Sequence, residues 1–270
     1  MSDIIKAVIL GIVEGLTEFL PVSSTGHLII VNEFIDFTGS FAKMFDIVIQ
    51  LGAILSVIVY FWHKLFPFGR NKTPLEKSET WDIWKKTIVG VLPALVFGAT
   101  LGKHIEEYLF NPLTVALALL IGGIALIALE RRKKSGTISS ISQLSYKTAF
   151  FIGLIQCLAM IPGTSRSAAT IIGAMLLGVS RVAASEFSFF LAIPTLFAAS
   201  AYSILKTGFD LSANQLQLLI LGFIVSFLVA WLVIAAFMKF ISRKDFKPFG
   251  YYRILLGIVI LLFFNSFISF

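Results

Sequence analysis

The residues with the most chemistry lie in one stretch, EGLTEFLPVSSTGH, which runs from Glu14 to His27. It holds two glutamates, two adjacent serines followed by a threonine, and a histidine, all within an otherwise apolar N-terminal segment. Glu14 and Glu18 are four residues apart, so a helix would place both carboxylates on one face, about 6 Å apart at Cβ. Two such carboxylates can hold a divalent cation, and a serine near a histidine can act as an activated nucleophile.

A second stretch, Pro162–Ser167, supplies the cationic side chain that the first lacks. Arg166 carries a permanently charged, fork-shaped guanidinium that suits phosphate oxygens. The hydroxyls of Thr164, Ser165 and Ser167 surround it at a predicted helix N-terminus, where anions are favoured. An anion held there would repel the two glutamates unless Mg²⁺ or Ca²⁺ lay between them. The two stretches together therefore predict metal-assisted phosphoryl chemistry.

Each of these residues also has a purely structural explanation. The hydroxyl residues that follow Pro21 could simply cap a helix, because that is where N-cap residues occur after a helix break. His27 could be a packed histidine, and Arg166 could pair with a glutamate to stabilise the fold. A structural role does not explain why so many polar groups share apolar segments, since ionisable groups inside a membrane are costly and usually functional.

The composition is that of an integral membrane protein. Of the 270 residues 57% are hydrophobic and only 14% are charged, which excludes an ordinary soluble domain. The net charge of +7 does not indicate nucleic-acid binding, because the basic residues lie in short loops where they meet lipid headgroups. The single cysteine, Cys157, excludes an intramolecular disulfide and a cysteine-based metal site. The N-terminal apolar run has no preceding basic region, so we do not interpret it as a cleaved signal peptide.

Two proline-containing breaks divide the apolar segments that carry the polar residues. Segment 1–31 is interrupted at Pro21 and segment 148–179 at Pro162, and each break is followed by hydroxyl residues that would begin a second half-helix. The rest of the chain predicts six membrane spans. These are Met44–Trp62, Thr87–Gly102, Pro112–Leu129, Ser185–Leu205, Gln215–Met238 and Phe249–Phe267.

The distribution of lysine and arginine predicts the orientation of the spans. Three loops, within residues 64–86, 131–147 and 239–253, hold 6, 5 and 5 of the 22 basic residues, an excess that is typical of cytoplasmic loops. The intervening loops contain only Lys103 and Lys206. Six spans then place both termini outside the cell, provided that the two broken segments enter the membrane and return on the same side.

An internal repeat supports this arrangement. An offset of 141 residues overlays Leu20–Ser24 on Ile161–Ser165. We therefore predict an all-α polytopic membrane protein with six transmembrane helices plus two re-entrant helical hairpins, arranged as an inverted-topology repeat. Residues 1–270 would form one membrane domain, with the repeats at about 1–130 and 145–270. Such folds place their site where interrupted helices meet near the bilayer midplane.

At the two polar stretches the sequence resembles a known family. EGLTEFLPVSSTGH and PGTSRS are similar to the two signature motifs of the undecaprenyl-pyrophosphate phosphatases of the bacitracin-resistance type. VSRVAASEFSF and IQLGAILSV extend the match, which covers essentially the whole chain. The resemblance implies hydrolysis of undecaprenyl pyrophosphate, a C55 lipid, to the monophosphate carrier that cell-wall polymer synthesis reuses. It also implies dependence on a divalent cation, Mg²⁺ or Ca²⁺.

The resemblance assigns roles by motif. Glu14 and Glu18 would be the acidic pair that binds the metal. Ser24 would be the favoured nucleophile and His27 its neighbour, although either of the two could attack phosphorus. Arg166 would hold the phosphate. The remaining phosphate-binding positions would be Ser23, Thr25, Thr164, Ser165 and Ser167.

The expected location is the bacterial plasma (inner) membrane, with the active site facing outside. The expected partners are the C55 lipid and membrane lipids, with no nucleic acid, and a homodimer is one expected assembly. The main alternative is a transporter, since broken helices in inverted repeats also build secondary transporters. A flippase or proton-coupled carrier could use Glu14, Glu18 and Arg166 for binding alone, but it would not need a serine–histidine pair. Polar breaks at membrane depth disfavour a purely structural scaffold.

Overall fold

The protein is built from α-helices. The computed structural model describes residues 1–69, 72–132, 136–207 and 211–268. Among these residues the only extended pairing is a parallel bridge between Ile138 and Val179. The described residues form eleven α-helices: α1 Asp3–Thr17, α2 Ser24–Ile35, α3 Ser40–Tyr60, α4 Trp62–Leu65, α5 Pro74–Leu109, α6 Pro112–Arg131, α7 Tyr146–Gln156, α8 Arg166–Leu176, α9 Arg181–Thr207, α10 Ala213–Ile241 and α11 Lys247–Ile268.

Five of these helices are long and apolar enough to cross a bilayer. Their spanning parts are Ser40–Tyr60, Pro74–Ile105, Pro112–Arg131, Arg181–Ser203 and Ala213–Ile241. They coincide with five of the six predicted spans and confirm a polytopic, all-helical membrane protein.

The sixth predicted span, Phe249–Phe267, lies within α11. The side chains from residue 264 onward are outside the described part of the chain, so this crossing stays a prediction. Three basic residues used for the orientation, Arg70, Lys133 and Lys134, also lie outside the described residues.

Helix α5 extends well beyond the predicted span Thr87–Gly102. It begins with a capping box, in which the Thr73 hydroxyl accepts from the Glu76 amide at 3.2 Å and the Glu76 carboxylate accepts from the Thr73 amide at 2.7 Å. Pro74 occupies the first helical position, where its missing N–H costs nothing. Because these local signals start the helix at Pro74, the polar N-terminal turns of α5 precede the predicted apolar span.

Helix α10 shows how the apolar surface is divided between lipid and protein. An exposed apolar stripe recurs every four residues from Ile220 through Ile224 and Leu228 to Leu232, as expected for a face in contact with lipid. Its buried face includes the small residues Gly222, Ser226 and Ala230, and α10 packs against α1 and α3. A side chain at Gly52 of α3 would place Cβ only 2.4 Å from a backbone oxygen of α10. This contact between two backbones requires glycine.

A second close contact joins α6 to α11. A Cβ at Gly123 would lie 2.7 Å from the carbonyl oxygen of Gly250. Helix α11 is thereby held close enough to α6 for its inward-facing side chains to reach the centre of the molecule.

Two interrupted segments complete the fold. The breaks predicted at Pro21 and Pro162 are present: α1 and α2 flank the first, and α7 and α8 flank the second. Within each pair the two short helices pack against each other. The interruptions bring the N-termini of α2 and α8, with their free backbone N–H groups, into the interior of the helix assembly.

Candidate active site

The first elbow comprises residues 14–27, in which the interruption at residues 18–23 separates α1 from α2. Helix α1 ends at Thr17 because Pro21 has no N–H to donate to the Thr17 carbonyl. The chain turns sharply, with the Val22 amide donating to a carbonyl two residues earlier at 2.7 Å. Ser23 then caps α2, because its hydroxyl oxygen accepts from the Gly26 amide at 3.3 Å. Its φ of 74° lies in a region that residues other than glycine seldom adopt.

The second elbow, residues 161–167, repeats this backbone arrangement. Ser165 caps α8 by accepting from the Ala168 amide at 3.2 Å, and its φ is 69°. The second elbow has one more residue between proline and cap, and that residue is Gly163 with φ 87°. Ser165 therefore corresponds to Ser23, one residue out of register with the predicted overlay on Ser24.

This corrected register has a chemical consequence. Ser24 is the first residue of α2 and Arg166 is the first residue of α8. The candidate nucleophile and the candidate phosphate clamp thus occupy equivalent positions in the two elbows. Each side chain starts from a helix N-terminus, where the backbone dipoles favour an anion.

The carboxylate of Glu18 joins the two elbows. Its Oε2 accepts from the Ser24 hydroxyl at 2.6 Å, and its Oε1 accepts from Nη2 of Arg166 at 3.1 Å. Glu18 and Ser24 are both buried. The predicted convergence of the two polar stretches is therefore present, and the serine hydroxyl already points at a proton acceptor.

Arg166 is held from two further sides. Its Nη1 donates to the carbonyl oxygen of Ser188 at 2.9 Å, and its guanidinium carbon lies 5.8 Å from the centre of the Phe19 ring. Its Nε is buried and has no partner among the described residues. One donor of the fork is thus left for a ligand.

Glu14 lies one helical turn before Glu18 and is only 1% exposed. Neither of its carboxylate oxygens has a hydrogen-bond partner in the described part of the chain, and its electrostatic neighbours are Glu18, Asp46 and Arg166. A buried carboxylate without a partner is costly, so a bound cation or a proton would satisfy it.

The two predicted metal ligands, Glu14 and Glu18, are not equivalent in the structure. Glu14 offers two free oxygens, whereas both oxygens of Glu18 are already engaged. No group of three His, Cys, Asp or Glu side chains suited to a metal occurs among the described residues. A cation at Glu14 would therefore take most of its ligands from water or from substrate oxygens, as Mg²⁺ commonly does.

His27 lies on the first turn of α2 but faces away from this junction. Its Nδ1 lies 2.7 Å from the carbonyl oxygen of Ser23, which can only accept, so Nδ1 carries a proton. Its Nε2 lies 2.6 Å from the Tyr252 hydroxyl, and the two rings are stacked with their centres 5.6 Å apart. The hydrogen bond of the Ser24 hydroxyl goes to Glu18 and not to His27.

The other predicted phosphate-binding hydroxyls have different surroundings. The hydroxyls of Ser165 and Ser167 lie 3.0 Å apart, and Ser167 also donates to the Leu20 carbonyl at 2.8 Å, which joins the second elbow to the first. Thr25 and Thr164 are half-buried beside the two helix N-termini. Ser23 and Ser165 serve as caps, as described above.

Sequence reasoning missed three residues that contact the site. Ser188 of α9 supports Arg166, Tyr252 of α11 contacts His27, and Arg253 of α11 reaches both elbows. A signal for Arg253 was available, because an arginine within an apolar segment is itself unusual. In the sequence alone, Arg253 looks like the flank of a basic loop.

The fold and the site together define a multi-pass membrane protein in which two interrupted helices place a serine, a carboxylate and an arginine together. The family described as "Bacitracin resistance protein BacA" matches residues 7–259 of this chain. The chain belongs to that family.

Full-length relatives agree with this assignment. The "Undecaprenyl-diphosphatase 1" of Clostridioides difficile (strain 630) is 52% identical over 266 residues, covering 98% of this chain and 97% of the relative. The "Undecaprenyl-diphosphatase" of Enterococcus faecalis is 48% identical over 266 residues, covering 96% of each chain. That of Limosilactobacillus fermentum is 49% identical over 271 residues, covering 98% of each.

Proposed function

We propose that this chain is an undecaprenyl-diphosphatase that converts undecaprenyl pyrophosphate into undecaprenyl phosphate and inorganic phosphate. This activity recycles the carrier lipid for cell-wall synthesis and supports resistance to bacitracin. The observation that carries the proposal is the carboxylate of Glu18, which binds the Ser24 hydroxyl and the Arg166 guanidinium at the meeting point of two helix N-termini. The names of the full-length relatives supply the substrate.

In the proposed first step the Ser24 oxygen attacks the terminal phosphorus. The hydroxyl proton passes to Oε2 of Glu18, 2.6 Å away, and the bond between that phosphorus and the bridging oxygen breaks. Undecaprenyl phosphate leaves and a phosphoserine remains. Water then hydrolyses the phosphoserine, which releases inorganic phosphate and restores the serine hydroxyl with the proton held by Glu18.

Arg166 would bind the oxygens of the transferred phosphate. Its Nε has no partner and its Nη1 is held by Ser188, so the fork is oriented before substrate arrives. Positioning and charge stabilisation of this kind supply most of the rate in phosphoryl transfer.

Two residues are candidates to accept the proton of the Ser24 hydroxyl: His27, as predicted from the sequence, and Glu18. The hydrogen bond between Ser24 and Glu18 favours the carboxylate as proton acceptor. His27 would have to leave Tyr252 before its Nε2 could accept the serine proton. We therefore propose that Glu18, and not His27, accepts the proton of the Ser24 hydroxyl.

We also propose a divalent cation, Mg²⁺ or Ca²⁺, bound by Glu14 with Glu18 as the second predicted ligand. The free oxygens of Glu14 support this assignment. When bound, the ion would neutralise charge on the pyrophosphate. It would also relieve the repulsion between the glutamates and the substrate.

The membrane arrangement is proposed from the sequence. Six transmembrane helices and two re-entrant hairpins, with both termini and the active site at the outer face, follow from the three basic loops. After Cys157→Ser, single cysteines placed at Lys72 or Arg132 should resist an impermeant maleimide applied to intact cells. Labelling at either position from outside would overturn this topology. Cross-linking in membranes would test the predicted homodimer.

The activity is tested by phosphate release from C55 pyrophosphate by the purified chain in detergent with Mg²⁺. A transporter would bind the lipid without releasing phosphate. A burst of one undecaprenyl phosphate per chain ahead of steady-state phosphate release, together with a phosphorylated peptide containing Ser24, would support the covalent intermediate. Release without that peptide would favour direct attack by water.

A further inference from the structure

Arg253 joins the two elbows at the centre of the molecule. It lies in α11, and its side chain is 0% exposed. Its Nη1 donates to the carbonyl oxygen of Pro21, in the first elbow, at 3.2 Å. Its Nη2 donates to the carbonyl oxygens of Gly163 at 3.1 Å, Thr164 at 3.0 Å and Ala118 at 3.0 Å. One guanidinium therefore connects the first elbow, the second elbow and α6.

No carboxylate of the described residues forms an ion pair with Arg253. Among the described residues its partners are backbone carbonyls, and its Nε is buried without a partner. Burial of a cation without a counter-charge is costly. The same position would hold an apolar side chain more cheaply if its task were only to pack α11 against α6.

The carbonyl groups that bind Arg253 belong to residues close in sequence to the proposed reacting residues. Pro21 precedes Ser24 by three residues, and Thr164 precedes Arg166 by two. We propose that Arg253 is a positioning residue that holds the two elbows at the separation from which Ser24 and Arg166 reach the same phosphate. This inference rests on the proposed function and adds a residue that acts through the backbone, without touching substrate.

Two adjacent glycines of α6 allow the guanidinium and the helix packing to be disturbed separately. A Cβ at Gly122 would lie 2.3 Å from Nη2 and 2.9 Å from the guanidinium carbon of Arg253. A Cβ at Gly123 would instead lie 2.7 Å from the carbonyl oxygen of Gly250 and 3.2 Å from the Cβ of Arg253, an atom that methionine and lysine also have. Gly122→Ala should therefore displace the guanidinium, whereas Gly123→Ala should mainly disturb the contact between α6 and α11.

The kinetic test combines these changes in the full-length chain with C55 pyrophosphate as substrate. Arg253→Met and Arg253→Lys should each lower kcat by about 100-fold, the cost of misplacing reacting groups by about 1 Å, with KM nearly unchanged. The lysine should fail because one ammonium cannot reach three separate segments. As a single change, Gly122→Ala should lower kcat. In the Arg253→Met background it should cause no further loss of kcat. Gly123→Ala should add its effect in both backgrounds.

A second measurement does not depend on activity. Hydrogen exchange of the chain in lipid nanodiscs should show faster exchange of the amides of both elbows in Arg253→Met, Arg253→Lys and Gly122→Ala. Gly123→Ala should affect the amides of α6 and α11 instead. If wild type releases no phosphate, the proposed function fails, and the exchange measurement still decides whether Arg253 positions the elbows.

Three outcomes would overturn the positioning role. Arg253→Lys with turnover close to wild type would show that charge alone suffices. Losses from Gly122→Ala and Arg253→Met that simply multiply would show that they act through different structures. Unchanged exchange in both elbows would leave Arg253 as a packing residue. If Arg253→Met does not fold, as judged by gel filtration, then Arg253→Lys and Gly122→Ala provide the same decision.

Discussion

The two elbows share one backbone design and carry opposite chemistry. In each, a serine with positive φ caps the following half-helix, at 74° in Ser23 and 69° in Ser165. The next residue is Ser24 in the first elbow and Arg166 in the second. The first elbow thus carries the proposed nucleophile and the two glutamates, whereas the second carries the arginine. Neither elbow alone holds the serine, the carboxylate and the arginine, so the candidate site exists only where the two elbows meet.

The difference also explains why one carboxylate is central. Glu18 contacts the side chains at both equivalent positions, with one oxygen for Ser24 and the other for Arg166. Glu18 thus connects the first residue of α2 with the first residue of α8.

The largest expected effect comes from removing the nucleophile from the first elbow. Ser24→Ala should lower turnover by about 10³-fold or more while substrate binding stays nearly intact, because the residue acts in the chemical step. Ser226→Ala is a matched control, since Ser226 is also a buried serine and its hydroxyl donates to the Ile49 carbonyl at 2.7 Å. Turnover of Ser24→Ala within a few-fold of wild type would exclude the serine nucleophile.

Removing the acceptor that connects the elbows should come next. Glu18→Gln should lower turnover by about 10²- to 10⁴-fold, the usual contribution of a general base, and it also leaves Arg166 without its counter-charge. His27→Gln should cost much less. Steady-state phosphate release measures both variants, and the reverse order would restore His27 as the residue that removes the serine proton.

Weakening the second elbow should have a somewhat smaller effect. Arg166→Lys should lower turnover by about 10²-fold, because an ammonium cannot reproduce a planar fork at the phosphate. Arg181→Lys is the control, since Arg181 is also in an ion pair, with Glu130, outside the site. Near-normal turnover of Arg166→Lys in the phosphate-release assay would assign Arg166 a structural role.

The proposed divalent cation distinguishes the role of Glu14 from that of Glu18. Chelation with EDTA should abolish wild-type turnover, and Glu14→Gln should weaken Mn²⁺ binding by about 10- to 100-fold, as measured by electron paramagnetic resonance. Glu33→Gln, at an exposed carboxylate of α2, should bind Mn²⁺ normally. Full turnover in EDTA would exclude the metal, and unchanged Mn²⁺ affinity in Glu14→Gln would move it elsewhere.

The smallest effect is expected at the edge of the first elbow. Tyr252→Phe removes one hydrogen bond to His27 and keeps the stacked ring. Turnover should fall by about fivefold or less, in line with the net free energy of one hydrogen bond. A loss as large as that of Ser24→Ala would make the tyrosine hydroxyl part of the chemical step.

Local signals in the sequence predicted much of this site. Pro21 and Pro162 mark the breaks because proline lacks a donor, and the hydroxyl residues after them mark the caps. The approach of Glu18 to Arg166 follows from opposite charges within apolar segments. The exact register of the elbows could not be predicted, because the extra residue Gly163 changes the backbone path without changing the pattern of polar residues.

The direction of individual side chains could not be predicted either. His27 and Tyr252 are 225 residues apart in the sequence, and their contact depends on how α2 and α11 pack. The same holds for Arg253, which looks like the flank of a basic loop until α11 is placed against α6. Such long-range contacts leave no periodic signal in the sequence.

The packing of α10 and α11 determines when the site can form during synthesis. Helices α1 and α3 emerge from the ribosome long before α10, on which both of them pack, and α6 emerges long before α11. The nascent chain therefore holds Glu18, Ser24 and Arg166 in the membrane before the elbows can be fixed against each other. Until α11 inserts and Arg253 reaches both elbows, these polar groups lack their final surroundings, and the chain in that interval is most exposed to misfolding and degradation.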